Sequence, residues 1–220
     1  MKRIKEFFTT GNVLLKFLVA VLLFWFGFLF FTGTLTSGFH FTDDHDILRI
    51  RQDVIDSSLD REIGIFVKEI FSSKQRFRPL HALQRRAGAT LFGTDWTVWS
   101  IYFGFLAVFT TMFLFRFMRA LKFTVPQSFL FAALTLLGEQ AAVFWKLGTN
   151  ETLGMLWLSI ALWLMVSGTV TPSAQLRKKL QFFFVFAAVM MSWCKESFIL
   201  VLPALAFGKY LVLILPKGAD

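Results

Sequence analysis

At 220 residues the chain is the size of one domain, yet 56% of it is hydrophobic, with 30 Phe and 7 Trp, and only 17% is charged. A soluble domain of this size needs far less apolar surface, so composition excludes that class in favour of a membrane protein. The formal charge of +9 does not point to nucleic acid, because the basic residues gather at the ends of apolar runs, as membrane orientation signals do.

The basic N-terminus MKRIKEFF leads into an apolar stretch from Val13 to Phe31, interrupted only by Lys16. A signal peptide opens in a similar way, but its apolar core of about 7 to 15 residues ends at a small-x-small cleavage site. Here the run stays bulky and Phe-rich to its end. It predicts an uncleaved first span over 13–34, since about twenty apolar residues suffice to cross the hydrocarbon.

TGTLTSG then ends the helix, and a charged outward loop over 35–95 follows, beginning with FTDDHD at 41–46. Within it Ile47, Ile50, Val54, Ile55, Leu59, Ile63, Phe66, Ile70 and Phe71 recur at helical steps, with Arg, Asp and Glu between them. That amphipathic pattern, flanked by spans, predicts one or two helices lying at the membrane interface. The plainer alternative is a solvated face on a small extramembrane loop.

A second span is expected over 96–115, with Trp96, Trp99 and Tyr102 as an aromatic belt at its start. Arg116, Arg119 and Lys122 form a basic turn, and Pro126 opens a third span reaching about 145. KLGTNE links it to a fourth over 152–170. Arg177, Lys178 and Lys179 form a second basic turn, a fifth span covers 182–193 and a sixth 198–215. The fold expected is therefore all-α: one polytopic helical membrane domain over 1–220, with about six transmembrane helices, the last five within 96–215. Cys194 is the single cysteine, so no internal disulfide forms.

A cytoplasmic N-terminus puts both basic turns and the tail with Lys217 on the same side, as the positive-inside tendency requires. The opposite face, periplasmic, extracellular or luminal, then receives the 35–95 loop, KLGTNE and Lys195-Glu196. The unusual polar residues thus share one side: Asp43 and Asp44, Arg76 and Arg78 in QRFRPL, Glu151, Lys195 and Glu196. Ionisable groups at membrane depth are costly and are usually functional. Adjacent carboxylates with several cations suit an anionic lipid head group and a nucleophile that must lose a proton. One carboxylate would take the proton of an acceptor hydroxyl as it attacks a sugar carbon, and Arg or Lys would stabilise the departing phosphate. No Gly-rich nucleotide loop is present, so the donor expected is a sugar on an isoprenoid phosphate reaching the site through the bilayer.

A first span followed by an acidic pair, an outward loop with RFRPL, and short spans carrying LGTNETLG and KES resembles the N-terminal module of the glycosyltransferase C superfamily, nearest to its protein O-mannosyltransferase branch. The resemblance implies sugar transfer from a polyprenyl-phosphate donor to an acceptor hydroxyl on the non-cytoplasmic face. It implies Asp43 or Asp44 as the base; from the charges gathered on that face, Arg76, Arg78 and Lys195 are expected toward the donor phosphate, with Glu196 and Glu151 in support. Such enzymes usually have more spans, so the chain is also expected to be an N-terminal fragment of a longer enzyme, its acceptor unknown.

Competing readings attach to the same residues. Asp43 and Asp44 are also good caps for the helix that follows. Arg76 and Arg78 could snorkel to lipid phosphates, Lys195 and Glu196 could be a neutralising pair between spans, and Glu139 could bond a neighbouring helix. His40, His45 and His81 are the only histidines; His45 among Asp43, Asp44 and Asp46 could take a divalent cation, but the spacing matches no metal motif, so no cofactor is expected. A transporter or channel component should show internal repeats and interrupted half-helices, and none is evident. A non-catalytic scaffold is the third class.

Overall fold

The computed structural model describes residues 2–36, 38, 42–56, 59–71, 77–134, 144 and 151–214, without the side chains of 2–12, 42–46, 56, 59, 60, 62 and 69. All regular structure among them is helical: α1 (Lys2–Phe31), α2 (Thr42–Asp56), α3 (Leu59–Phe71), α4 (Pro79–Phe92), α5 (Trp96–Ala120), α6 (Val125–Leu134), α7 (Glu151–Val170), α8 (Ala174–Ser192), a 3-10 turn (Glu196–Val201) and α9 (Leu202–Ile214).

Among the described residues four helical stretches are long and apolar enough to cross a membrane: Val13–Phe31, Trp96–Ala120, Glu151–Val170 and Glu196–Ile214. They mark a membrane protein. Their outer faces carry large bare side chains, among them Leu23, Phe31 and Leu200, a pattern that suits lipid and that water would penalise. Two of the expected spans differ. The third is represented by the ten-residue apolar helix α6, and 135–143 and 145–150 lie outside the described residues. The fifth is part of a longer helix, α8, whose early turns hold Arg177, Lys178 and Lys179 and so lower its apolarity. Among its described residues the stretch over 35–95 holds three helices, α2, α3 and α4, where one or two were expected. The additional helix, α4, begins with Pro79 in its first turn, where a missing N–H costs nothing, and its weak apolar spacing hid it from periodicity.

Packing follows the helix repeat. On α1, Phe17, Val21, Trp25 and Leu29 recur every fourth residue and are buried against Ala107, Val108, Leu114 and Phe115 of α5. The intervening residues, Val19, Leu23, Phe24 and Phe30, are exposed. Gly104 admits the close approach, since a Cβ there would sit 3.2 Å from the Leu29 and Phe26 side chains. A second cluster joins α7, α8 and α9 through Ala161, Leu164, Met165, Phe184, Ala187, Met191 and Leu205. Small residues on α7 let neighbours come close, as in membrane bundles generally. Three buried threonines bond within their own helices: Thr110, Thr111 and Thr169 each donate to the carbonyl four residues earlier, at 2.7, 2.9 and 2.8 Å. Each polar group is thereby satisfied within its own helix.

Helix ends are fixed by side chains. The Asp95 carboxylate accepts from the Thr97 and Val98 amides at 2.9 and 3.2 Å, capping α5. Thr97 Oγ1 then donates to Leu35 O at 2.9 Å, which ties the turn after α1 to the start of α5.

Candidate functional site

Helices α7 and α8 are joined by the three residues 171–173 and pack along each other, so Glu151 at the start of α7 lies at the same end as the residues that follow α8. Trp193 closes α8, and Lys195 is fully extended, with φ −160° and ψ 143°, before the 3-10 turn begins at Glu196. This break in the helix is what turns two consecutive side chains toward two different partners. Lys195 Nζ pairs with Glu151 Oε1. Glu196 receives the fork of Arg78, Nε to Oε2 at 2.6 Å and Nη2 to Oε1 at 2.8 Å.

Arg78 is held in place by its own backbone. It precedes Pro79 at the N-cap of α4, where a guanidinium, having donors and no acceptor, cannot cap the helix and instead reaches Glu196. Two residues on, the Leu80 amide donates to Trp193 O at 3.2 Å. Further along α4, Gln84 Nε2 donates to the Tyr102 hydroxyl at 3.1 Å, joining the same helix to α5. The start of α4 is therefore bound to the end of α8 by a side-chain fork and a main-chain bond, and to α5 one turn later.

His81 sits inside this junction, 7% exposed, so it is a core residue and not a solvated one. Its pKa is pushed down to about 3, chiefly by burial, then by the positive charges of Arg85, Arg78 and, more weakly, Lys195, with Gln84 opposing the fall. The ring is neutral at physiological pH. Its Nδ1 and Gln84 Oε1 are both buried and neither makes a hydrogen bond of good geometry, so the Gln84 contact that opposes the fall is a weak one.

Four of the expected site residues thus meet: Arg78, Glu196, Lys195 and Glu151. Arg76, Glu139 and His40 lie outside the described residues. Asp43 and Asp44 fall in the first turn of α2, with His45 and Asp46 following; the backbone is described there but the side chains are not. Helix α2 packs on α4, with Ile47 and Ile50 buried and Arg51 Nη1 donating to Ala89 O at 3.2 Å. The acidic pair therefore belongs to a helix that packs on the same α4 that presents Arg78. Among the described residues no three His, Cys, Asp or Glu side chains gather as a metal site.

Chemically, the Arg78 fork fits any planar or tetrahedral oxyanion that offers two oxygens, carboxylate or phosphate alike. At present it is matched by Glu196, and Lys195 by Glu151. Two further cations are informative in space: Lys209, which went unremarked in the sequence, and Arg116, expected in a basic turn and found within α5. Lys209, in mid-α9, lies over the Phe184 ring with its Nζ 4.9 Å from the centroid, and Arg116 lies 4.1 Å over Trp163. A lone lysine inside an apolar run is itself a signal, and it was legible at 209.

Comparison of the chain with protein-family models, with curated proteins and with solved structures finds no match.

Proposed function

We propose that this chain is the membrane module of a glycosyltransferase of the C type, moving a sugar from a polyprenyl-phosphate donor to an acceptor hydroxyl on the non-cytoplasmic face. In this reading the chain crosses the bilayer about six times from a cytoplasmic N-terminus, and α2 to α4 lie at the opposite interface. The observation that carries the proposal is the convergence of Arg78, Glu196, Lys195 and Glu151 at one end of the α7 and α8 pair, with α4 connecting it to the helix that opens with Asp43 and Asp44.

In the reaction the acceptor oxygen forms a bond to the anomeric carbon, the bond from that carbon to the phosphate oxygen breaks, and the hydroxyl proton passes to Asp43 or Asp44. The leaving polyprenyl phosphate gathers negative charge, which Arg78 stabilises by exchanging the Glu196 carboxylate for phosphate oxygens. Lys195 does the same on the Glu151 side. Arg76 is assigned to the donor phosphate by its place in QRFRPL.

Radiolabelled polyprenyl-phosphate sugars incubated with membranes holding the protein test this directly. Replacing both Asp43 and Asp44 by Asn is expected to abolish transfer while leaving membrane insertion intact; unchanged transfer by the double variant removes the base assignment.

A second reading is favoured by the fact that each cation already meets a carboxylate. The Arg78-Glu196 pair then clasps α4 to the membrane helices and the Lys195-Glu151 pair joins the neighbouring ends of α7 and α8, in a scaffold or a transporter or channel component. Arg78→Gln separates the two. A transferase shows a raised donor KM at lowered stability, whereas a clasp shows lowered stability alone.

A further inference from the structure

A groove of about 360 Å³ runs between α8 and α9, walled by Phe184, Val185, Ala188, Val189 and Leu205, and of its lining residues only Lys209 is charged. Its size falls in the range of ligand pockets, about 300 to 1,000 Å³. The span that forms one wall is the least covered of the four: 11% of Glu196–Ile214 is buried within the protein, against 61% of Trp96–Ala120. The groove thus opens beside the least covered of these four helical stretches.

Charge is distributed unevenly along it. Lys209 lies over Phe184, the groove residue nearest the start of α8, and Ser192 lines the other end. Lys178 precedes Val185 and Ser192 on α8 by seven and fourteen residues, which places it on the same helix stripe, below the groove. It is exposed. Its neighbour Arg177 is turned back onto Thr171 O and Pro172 O at 3.3 and 3.4 Å. Two lysines thus bracket the end of an apolar slot, at the opposite end of α8 from the Arg78-Glu196 pair.

We propose that this groove holds an acyl chain of an anionic glycerophospholipid, with the lipid phosphate between Lys178 and Lys209. A phosphate at that end satisfies an ammonium group that lies within a span, where an unmatched charge is expensive. A narrow slot between two helices admits a flexible chain, whereas a third helix needs a broad face of small residues. Here the small Ala188 and Ala206 are interrupted by Phe184, Val189 and Leu205.

The test uses the full chain purified in detergent, with phosphatidylglycerol and phosphatidylcholine of identical chains as probes, read by native mass spectrometry and by thermal shift. Phosphatidylglycerol is expected to bind more tightly and to raise the melting temperature more. Lys178→Gln and Lys209→Met are each expected to weaken that preference about fivefold, and Lys209→Arg to retain it. Ala188→Trp, which fills the slot and leaves both lysines, is expected to abolish it. Equal binding of the two lipids overturns the proposal. So does an undiminished preference in Ala188→Trp, which would mean general attraction of anionic lipid to a basic helix end. So does a second copy of the chain crosslinked through the groove. Sugar transfer plays no part in the readout, so this inference stands or falls apart from the proposed activity.

Discussion

Breaking the Arg78-Glu196 fork is the perturbation whose size the structure best defines. The two side chains are 16% and 42% exposed, so the pair lies between a surface pair, worth about 0.2 to 1 kcal/mol, and a buried one, whose disruption costs about 3 to 5 kcal/mol. Both of its hydrogen bonds are short and charge-assisted, which puts the coupling at about 1 to 2 kcal/mol. The single variants should be unequal. Glu196→Gln strands the better-buried guanidinium and should cost about 2 to 3 kcal/mol, whereas Arg78→Gln strands a carboxylate that reaches water and should cost about 1 to 2 kcal/mol. Glu196 is also engaged beyond Arg78, which softens the loss further. Reversible unfolding of the wild type, both singles and the double variant in mixed micelles gives the coupling as a double-mutant cycle. A value within about 0.5 kcal/mol of zero, the scatter of independent sites, or Arg78→Gln proving the costlier single, refutes the reasoning.

Two further outcomes follow from buried groups near the same junction. His81 is held neutral when folded, with its pKa lowered to about 3 from 6.5, so the unfolded chain binds more protons between those values. Its contribution to stability is fully present above pH 6.5 and is lost as pH falls toward 3. His81→Phe should flatten the acid limb of a stability profile, a change on the order of a few kcal/mol by pH 4; an unaltered limb would show that other groups set it. At Gly154 a Cβ would lie 2.1 Å from Phe198 Cε2, and Phe198 is itself buried. Gly154→Ala should therefore cost about 1 to 3 kcal/mol by overpacking, and Phe198→Leu in the same chain should recover part of it; additive losses in the double variant would show that the ring is not the obstacle.

What the sequence determined by itself is the class of protein and the places where the chain can cross a membrane. Hydropathy and the period of 3.6 are local properties, so the spans over α1, α5, α7 and α9 were readable from Val13, Trp96, Thr152 and Phe198 onward. So was the amphipathic character of α2 and α3. The same locality explains the failures. Helix α4 has Pro79 to start it but no clear apolar stripe, and it passed unread. The apolar run at 182–193 concealed that its helix begins among Arg177, Lys178 and Lys179, because hydropathy registers the membrane part of a helix and not its length. Only the tertiary structure decided partners. Arg78 and Glu196 are 118 residues apart, and Lys195 and Glu151 are 44 apart. Composition could say that such charges at a membrane edge need company, but not whose. The choice was made by the close packing of α7 on α8 and by the extended backbone at Lys195, which sends two neighbouring side chains in different directions. His81 makes the same point from the inside. Nothing in HALQRR marks it as buried, and it is buried because Leu80, one residue before it, is tied to Trp193 across the junction.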